Sequence, residues 1–267
     1  MNIERLRKII LYSEKNREEI SYLVRKFCSF AEIEYDYNLL NVLQIVRTSF
    51  RKKGFLVFEM PFNDKEIGAL SYKGDGLGYV VINTSLPRVN SNFAIAHEIY
   101  HVFFQKSEFI SKVEFANEHY YEHEEEYAAN LFASMLLMPE TSFRRMYTKF
   151  KEESEGNEVD TIFRLMAYYQ VPYMAVLIRC FELKLLTGNN VSEELLSVSK
   201  DKIKKKLNEL WLDESIIEPS NKDDYSNIEE LVRSLGSVYI GEGYINEYTL
   251  DKALQNMRNL YEKIRGE

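Results

Sequence analysis

The sequence predicts an α+β fold that is mostly helical, with a small three-stranded, mostly antiparallel sheet and a helical C-terminal region. Three observations support this prediction. Apolar residues recur at helical spacing through most of the chain, short β-rich runs stand together only between residues 54 and 85, and residues 188–267 return to helical spacing with more charge.

Helical spacing of apolar residues from Ile3 to about Arg51 predicts two or three helices at the start of the chain. The pattern then changes to three β-rich runs, FLVFEM, IGALSY and GYVVINTS, which turn-forming residues separate. These runs predict the small sheet. One of the last two, GYVVINTS or its neighbour IGALSY, is the predicted sheet edge, where an extended peptide would pair by main-chain hydrogen bonds.

Two helices are predicted after the sheet, through AIAHEIYHVFF and EEEYAANLFASMLLMP, with a polar link between them and Pro139 ending the second. The C-terminal region is also mainly helical, and the stretches SNKDDYSN and GSVYIGEGY are predicted to interrupt it. Two domains are predicted, residues 1–187 and residues 188–267. The first comprises a helical N-terminal segment at residues 1–53, the sheet and the two helices at residues 54–139, and closing helices at residues 140–187.

The composition is typical of a folded chain without disulfide bonds. Of its residues 45% are hydrophobic, and the two cysteines, Cys28 and Cys180, lie far apart in predicted amphipathic helices, as buried free thiols do. The sequence contains neither a signal-peptide pattern nor a run of about 20 apolar residues, so we expect a cytoplasmic protein without membrane contact. The net charge of -8 disfavours direct nucleic-acid binding and favours a basic protein partner.

The residues His97-Glu98-Ile99-Tyr100-His101 form an HExxH pattern inside a predicted helix. A spacing of four residues places the two imidazoles on one helix face, one turn apart, where both can bind a single metal ion. Glu98 lies beside them, in position for a general base. The alternative interpretation is that two partly buried helix histidines bind no metal.

A catalytic zinc site needs a third protein ligand and one open coordination position. Glu126 begins the second predicted helix, and Asn130 follows four residues later on the same face. Glu126 can therefore ligate the ion, while Asn130 hydrogen-bonds to a ligand histidine and orients it. Residues 122–125 include three further glutamates, so surface charge is the alternative interpretation of Glu126 taken alone.

Peptide hydrolysis also requires a hydrogen-bond donor for the oxyanion of its intermediate. Several tyrosine, histidine and arginine side chains stand near the two motifs, and the sequence does not choose among them. For each of them, a role in covering the surface is the alternative. These candidates for contacts with the oxyanion or the substrate are Tyr100, His119, Tyr120, Tyr121, His123 and Arg88.

The sequence resembles the ImmA/IrrE family of zinc metallopeptidases, which pairs A-H-E-x-x-H with a later helix of the form E-x-x-A-N-x-F-A-x-x-L-L-M-P. Residues 96–101 match the first motif, and EYAANLFASMLLMP at residues 126–139 matches the second at every named position. The resemblance covers roughly residues 39–186. The family's usual Leu-Gly inside the first motif is replaced by Ile99 and Tyr100, neither of which is a ligand position.

This resemblance implies a zincin-like metallopeptidase domain with one Zn²⁺ per chain, although the same ligand types accept other divalent metals. It implies that His97, His101 and Glu126 are the ligands. It further implies that the substrate is a helix-turn-helix transcriptional repressor. Cleavage of that repressor would relieve repression of a mobile element, a prophage or a stress regulon.

Two other functions fit the sequence less well. One is a metal-binding regulator that docks to a repressor or toxin without proteolysis, and Glu98 argues against it because a structural metal site needs no general base. The other is a DNA-binding protein built on the helices between Val159 and Leu186. The second of those helices carries few basic residues besides Arg179, so we expect the pair to pack against the metal domain instead.

Overall fold

The computed structural model describes residues 2–35, 39, 41–73, 78–105, 111–115, 124–186 and 193–266, and only the backbone of 111–115 and 193–194. Its helices are α1 (Ile3–Ala31), α2 (Val42–Lys52), α3 (Arg88–Phe104), α4 (Glu124–Leu137), α5 (Glu140–Glu153), α6 (Glu158–Tyr169), α7 (Tyr173–Glu182), α8 (Glu193–Leu196), α9 (Lys200–Glu209), α10 (Tyr225–Gly241) and α11 (Glu247–Arg265). Its strands are β1 (Phe55–Met60), β2 (Ile67–Lys73), β3 (Gly78–Asn83) and β4 (Ser111–Phe115). The predicted α+β, mostly helical fold class is confirmed.

The sheet is small and mixed, with the strand order β1-β3-β2-β4. β3 pairs parallel with β1 and antiparallel with β2, and β2 pairs antiparallel with β4. Most pairings are therefore antiparallel, as predicted. β4 is a strand beyond the three predicted ones, and it lies in the segment predicted as a polar link, because five residues among polar neighbours carry too weak an alternation to stand out.

The prediction that β3 or β2 forms the sheet edge is wrong. β1 pairs with one side of β3, and β4 pairs with the outer side of β2, so both strands use their main-chain groups inside the sheet. The edges of the described sheet are β1 and β4. The order of strands along the chain does not give their order in space here, since β1 pairs with β3 and not with its sequence neighbour β2.

The sheet separates two apolar layers. Val80 and Ile82 of β3 belong to the main core on the side of α3, whereas Val81 faces the opposite layer, where residues of α10 and α11 pack against it. This alternation follows from the period-two geometry of a strand. The C-terminal helices therefore cover one face of the sheet, and the helix that carries the HExxH pattern covers the other.

Helices α3 and α4 lie in the interior of the protein and pack against each other. Ala96 and Ile99 of α3 and Ala129 and Phe132 of α4 are fully buried. Helices with apolar residues on nearly all faces belong in a protein interior. The long helix α1 packs against α4, and α2 packs against α3, so α3 and α4 are held from several sides.

The C-terminal residues share the main core, to which Leu207 and Ile217 belong. The prediction that GSVYIGEGY interrupts the helices is wrong for residues 236–241, because α10 continues through them. A Cβ atom on Gly236 would lie 2.3 Å from the Leu250 side chain, so this glycine permits close packing of α10 on α11. The predicted domain boundary near residue 188 lies outside the described residues and stays a prediction.

The cysteine prediction is confirmed, since Cys28 and Cys180 are both buried and free. Burial raises the pKa of the Cys28 thiol to about 11. Among the described residues, no helix combines the length and the apolar character that crossing a lipid bilayer requires.

Candidate metal centre

Helix α3 presents His97 and His101 on one buried face, one turn apart. Their Nε2 atoms lie 2.9 Å from each other, and both side chains are fully buried. The fully buried Ala96 and Ile99 of the same helix hold it in the core, so the backbone that carries the two imidazoles is fixed. Two ring nitrogens therefore converge on one point.

Glu126 in the first turn of α4 completes the cluster. Its Oε2 atom lies 3.2 Å from His97 Nε2, and its Oε1 atom lies 3.8 Å from His101 Nε2. Among the described residues, the side-chain donor atoms of these three groups all lie within 4.8 Å of one another. Glu126 is buried, so it is not part of the solvated acidic surface that the preceding glutamates suggested.

The second nitrogen of each ring meets an amide side chain. Asn130 Oδ1 lies 3.2 Å from His97 Nδ1, and Gln105 Oε1 lies 2.7 Å from His101 Nδ1. An amide oxygen only accepts hydrogen bonds, so the Nδ1 atom of each ring carries the proton and donates the bond. The Nε2 atom of each ring then has a lone pair, which points toward the Nε2 atom of the other histidine. This tautomer is the one in which an imidazole binds a metal through Nε2.

The structure places Asn130 where its helical spacing from Glu126 predicts it, next to a histidine of the pattern. Gln105 was missed. It stands four residues after His101, the same helical spacing that joins the two histidines, but α3 ends at Phe104 and Gln105 is the residue that caps it. The sequence signal that could have revealed this contact is a glutamine one helical turn after the second histidine.

The donor set fits a divalent metal ion. The ligand atoms lie 2.9, 3.2 and 3.8 Å apart, which brackets the separation of about 3.3–3.6 Å that four-coordinate ligands at about 2.0–2.2 Å from an ion would have. Two ring lone pairs and a carboxylate repel one another when they converge in a buried space. A cation bound between them would remove this repulsion.

Glu98 is fully buried beside the cluster, and neither of its carboxylate oxygens has a hydrogen-bond partner among the described residues. Leaving such a group without a partner costs stability, in the range of about 1–3 kcal/mol or more for a charged group. Buried polar groups without partners are rare in folded proteins. A metal ion with a water molecule next to Glu98 would supply the missing partner, so the residues present fit the group.

Tyr100 lies close to the cluster. Its ring packs edge-on against the His101 ring, with centroids 5.7 Å apart, and also contacts Phe104 and Phe132. Burial raises the pKa of the Tyr100 hydroxyl, and the negative charges of Glu125 and Glu19 add to this rise. The hydroxyl therefore keeps its proton at neutral pH.

The structure does not bring Arg88 to the cluster. Arg88 is exposed at the start of α3, nine residues before His97, which corresponds to about 13 Å along a helix. Its backbone N–H donates a hydrogen bond to the carbonyl oxygen of Glu218. Hydrogen bonds from Ser215 are the main cause of the lowered pKa of Asp213, and the charge of Arg88 adds to this lowering. The remaining candidates, which lie outside the described residues, are His119, Tyr120, Tyr121 and His123.

A mostly helical α+β domain with an HExxH helix and a buried His-His-Glu group defines a metallopeptidase-like protein. Residues 50–181 match the family model of the IrrE N-terminal-like domain, Peptidase M78. This match confirms the resemblance to the ImmA/IrrE family. No curated protein matches the chain.

Proposed function

We propose that the chain is a zinc-dependent endopeptidase that cleaves a helix-turn-helix transcriptional repressor and so relieves repression of a mobile element, a prophage or a stress regulon. The observation that carries the hydrolytic part is Glu98, a buried carboxylate without a partner beside three converging ligand groups. The family match supports the protein substrate. The net charge of -8 suits a basic partner better than direct contact with nucleic acid, and a repressor substrate would place the reaction in the cytoplasm.

His97, His101 and Glu126 would hold one zinc ion per chain, and manganese, iron or cobalt would accept the same ligands. When bound, the ion would polarise the peptide carbonyl group and lower the pKa of a nearby water molecule. Asn130 and Gln105 accept hydrogen bonds from the far ring nitrogens and so fix both imidazoles in the ligating tautomer.

Glu98 would act as the general base. Its carboxylate would take a proton from the attacking water molecule and deliver it to the leaving amine. No arginine or lysine side chain donates a hydrogen bond to Glu98 among the described residues, so no cation competes with the water proton for its carboxylate oxygens. Among the described residues, Tyr100 is the candidate for the oxyanion donor, because its ring packs against the His101 ring.

A regulator that docks to a repressor or toxin without proteolysis is the second candidate, and one observation favours it. His97, Glu98, His101 and Glu126 are all buried, so they offer almost no exposed surface to a protein substrate. Glu98 argues against this alternative, since a docking protein needs no unpaired buried carboxylate.

The test combines metal analysis with cleavage. We would measure zinc by elemental analysis in the wild type and in Glu126→Ala, and incubate both with repressors encoded near the gene. Glu124→Ala is the matched control, because Glu124 lies in the same first turn of α4 and is exposed. We expect about one zinc per chain in the wild type and the control, and none in Glu126→Ala.

Glu98→Gln separates the two candidate functions, because it removes the base and keeps the ligands. We expect this variant to retain zinc and to cut the repressor about 10²–10⁴-fold more slowly. Zinc binding without cleavage of any repressor by the wild type would favour the docking regulator. A wild type that binds no metal would contradict both candidates.

A further inference from the structure

Helix α10 carries two apolar seams, one of which is covered by α11. Gly236 lies on the covered seam, where the Leu250 side chain of α11 packs against it. The other seam repeats every three or four residues, which is the heptad spacing of helices that pack against a partner helix. We call it the outer seam of α10, and its members are Ile228, Leu231, Leu235 and Val238.

The outer seam is exposed over most of its length. Ile228 at its start is half-buried in the apolar layer on the α10 side of the sheet. Beyond it, Leu231, Leu235 and Val238 are 45%, 48% and 53% exposed. No described side chain between residues 229 and 260 belongs to either apolar layer beside the sheet, so this part of α10 lies outside both cores.

Tyr239 and Tyr244 extend the exposed apolar surface of the outer seam. They are 47% and 75% exposed, and their rings meet edge to face with centroids 6.1 Å apart. Large apolar side chains measure about 150–250 Å² when fully exposed, so the two tyrosines and the three exposed seam residues leave roughly 500 Å² in water. Two copies that covered this surface would bury about 1,000 Å² in total, which is the lower limit for a specific interface.

The residues that flank the outer seam are uncharged. In coiled coils the flanking positions often carry charges that select one partner helix. The whole chain has a net charge of -8, but the outer seam and its flanks add no charge to a contact between two copies. A second copy therefore meets no repulsion there, and no flanking charge attracts a basic or an acidic helix instead. The flanking residues are Asn227, Val232, Ser234, Tyr239 and Gly241.

We propose that the outer seam of α10 binds a second copy of this chain, with the two α10 helices antiparallel about Leu235. Leu231 then meets Val238 of the second copy, and the helical hairpins of α10 and α11 from both copies form a four-helix bundle. Because α10 begins on the sheet and ends away from it, antiparallel pairing places the rest of each copy at opposite ends of the bundle. This inference goes beyond the proposed function and does not depend on it.

The first test measures the mass of the full-length chain against its concentration by analytical ultracentrifugation. An interface of about 1,000 Å² predicts a weak dimer, with a dissociation constant of about 1–100 μM. Leu235→Glu places two carboxylates opposite each other at the centre of the seam, so it should stay monomeric at about 200 μM. Ser237→Glu is the matched control, because it adds the same charge to α10 on a side away from the seam, and it should dimerise like the wild type.

A mixing experiment keeps this test valid if a charged variant folds poorly. Leu235→Lys alone should also be monomeric, since it places two ammonium groups opposite each other. An equimolar mixture of Leu235→Glu and Leu235→Lys pairs opposite charges, so it should form dimers again. Restored dimers show that both variants fold and that residue 235 lies at the contact. Zinc content at the wild-type level in each variant is a second check of folding.

Cysteine cross-linking tests the antiparallel arrangement. Cys28 and Cys180 are buried, so a cysteine introduced on the seam is the accessible thiol. A disulfide needs Cα atoms within about 7 Å, whereas in the antiparallel pair equal residues at position 231 lie about 10 Å apart along the axis. Under mild oxidation, Leu231→Cys and Val238→Cys should each remain unlinked alone and should cross-link when mixed.

Three results would overturn the proposal. A wild type that stays monomeric at about 200 μM leaves the outer seam to a helix of another protein. A dimer that Leu235→Glu does not weaken places the contact elsewhere on the chain. Cross-links within each single cysteine variant, with none between the two variants when they are mixed, contradict the antiparallel pairing.

Discussion

Two groups of charged side chains that contain buried carboxylates differ in how those carboxylates are paired. In the first group, Glu59 of β1 and Asp224 before α10 meet two cations. Arg47 Nη2 and Lys222 Nζ each lie 2.7 Å from Glu59 Oε2, and Asp224 Oδ2 accepts the backbone N–H of Glu59 at 2.9 Å. Arg47 Nη2 also donates to Asp224 Oδ2 at 3.2 Å. These four residues, Arg47, Glu59, Lys222 and Asp224, form the α2–β1 ion cluster.

The candidate metal centre is the second group, and there one carboxylate lacks a hydrogen-bond partner among the described residues. Both oxygens of Glu98 are buried without a hydrogen-bond partner among the described residues, and Glu126 faces the two imidazoles of the candidate site. A paired cluster strengthens the connection between chain segments, whereas an unpaired carboxylate weakens the fold. We propose that the first group serves stability and the second serves chemistry, and substitutions can test this difference.

The largest effect on stability is expected for Asp224→Ala in the α2–β1 ion cluster. The change leaves the backbone N–H of Glu59 without its acceptor and removes one carboxylate from beside Arg47. We expect the free energy of unfolding, measured with urea, to fall by about 3 kcal/mol. The zinc content should stay at the wild-type level. Asp251→Ala on the exposed side of α11 is the control and should change stability by less than about 0.5 kcal/mol.

The next largest effect is expected on zinc affinity, when the two amide side chains that contact the Nδ1 atoms of His97 and His101 are removed. Asn130→Ala and Gln105→Ala each remove the acceptor that fixes one ring, so each should weaken zinc binding by about 10–100-fold, measured by competition with a chelator. This equals about 1.4–2.7 kcal/mol. Asn92→Ala is the control, because Asn92 is also on α3 but its side chain donates a hydrogen bond to the carbonyl oxygen of Gln170 and not to a histidine. Unchanged zinc affinity in Gln105→Ala would show that the Gln105 contact does not orient the ring.

A gain in stability is expected for Glu98→Leu. Leucine has a similar size, forms helices well and removes the buried carboxylate that lacks a partner. We expect the chelator-treated protein to become more stable by about 1–2 kcal/mol in urea unfolding, while hydrolysis is lost. A loss of stability in this variant would mean that Glu98 serves the fold, and the contrast between the two groups would disappear.

The residues of the candidate metal centre could be predicted from the sequence because their relations are local. His97 and His101 share one helix face by spacing alone, and Glu126 and Asn130 repeat that spacing on the next helix. That α3 and α4 bring the two pairs together depends on tertiary packing, and there the resemblance to a family supplied the expectation. Gln105 follows the same helical spacing, so it could have been proposed from the chain.

The features that were missed depend on contacts between distant segments. β4 exists because residues 111–115 pair with β2, about forty residues earlier, and its short sequence carries no independent strand signal. The wrong sheet edge has the same origin, since β1 and β4 fix the edges only through long-range pairing. Residues of α1, α3, α4 and α7 meet around a cavity of about 270 Å³, and no pattern within one segment predicts this arrangement.

The smallest effect is expected for an exposed ion pair that joins α1 to α5, and it completes the contrast with the α2–β1 ion cluster, whose two carboxylates are buried. Glu140 accepts hydrogen bonds from Arg17 of α1 and from Arg144 on its own helix. Burial raises the pKa of Glu140, but the bonds from Arg144 and Arg17 outweigh burial, so the pKa lies below its usual value. The Glu140 side chain is 39% exposed, so solvent screens the pair, and Glu140→Gln should cost less than about 1 kcal/mol at pH 7.

The stability that the Glu140 ion pair contributes should depend on pH, and the lowered pKa of Glu140 fixes the direction of that dependence. An acid whose folded-state pKa is lowered adds stability above its unfolded pKa and loses that contribution as the pH falls through the folded value. The stability difference between wild type and Glu140→Gln, from urea unfolding, should therefore be present at pH 7 and shrink as the pH falls below about 4. Glu152→Gln, an exposed change on the same helix, should show no such difference. A difference that grew toward low pH would contradict the ion pair, because protonated Glu140 no longer attracts Arg17.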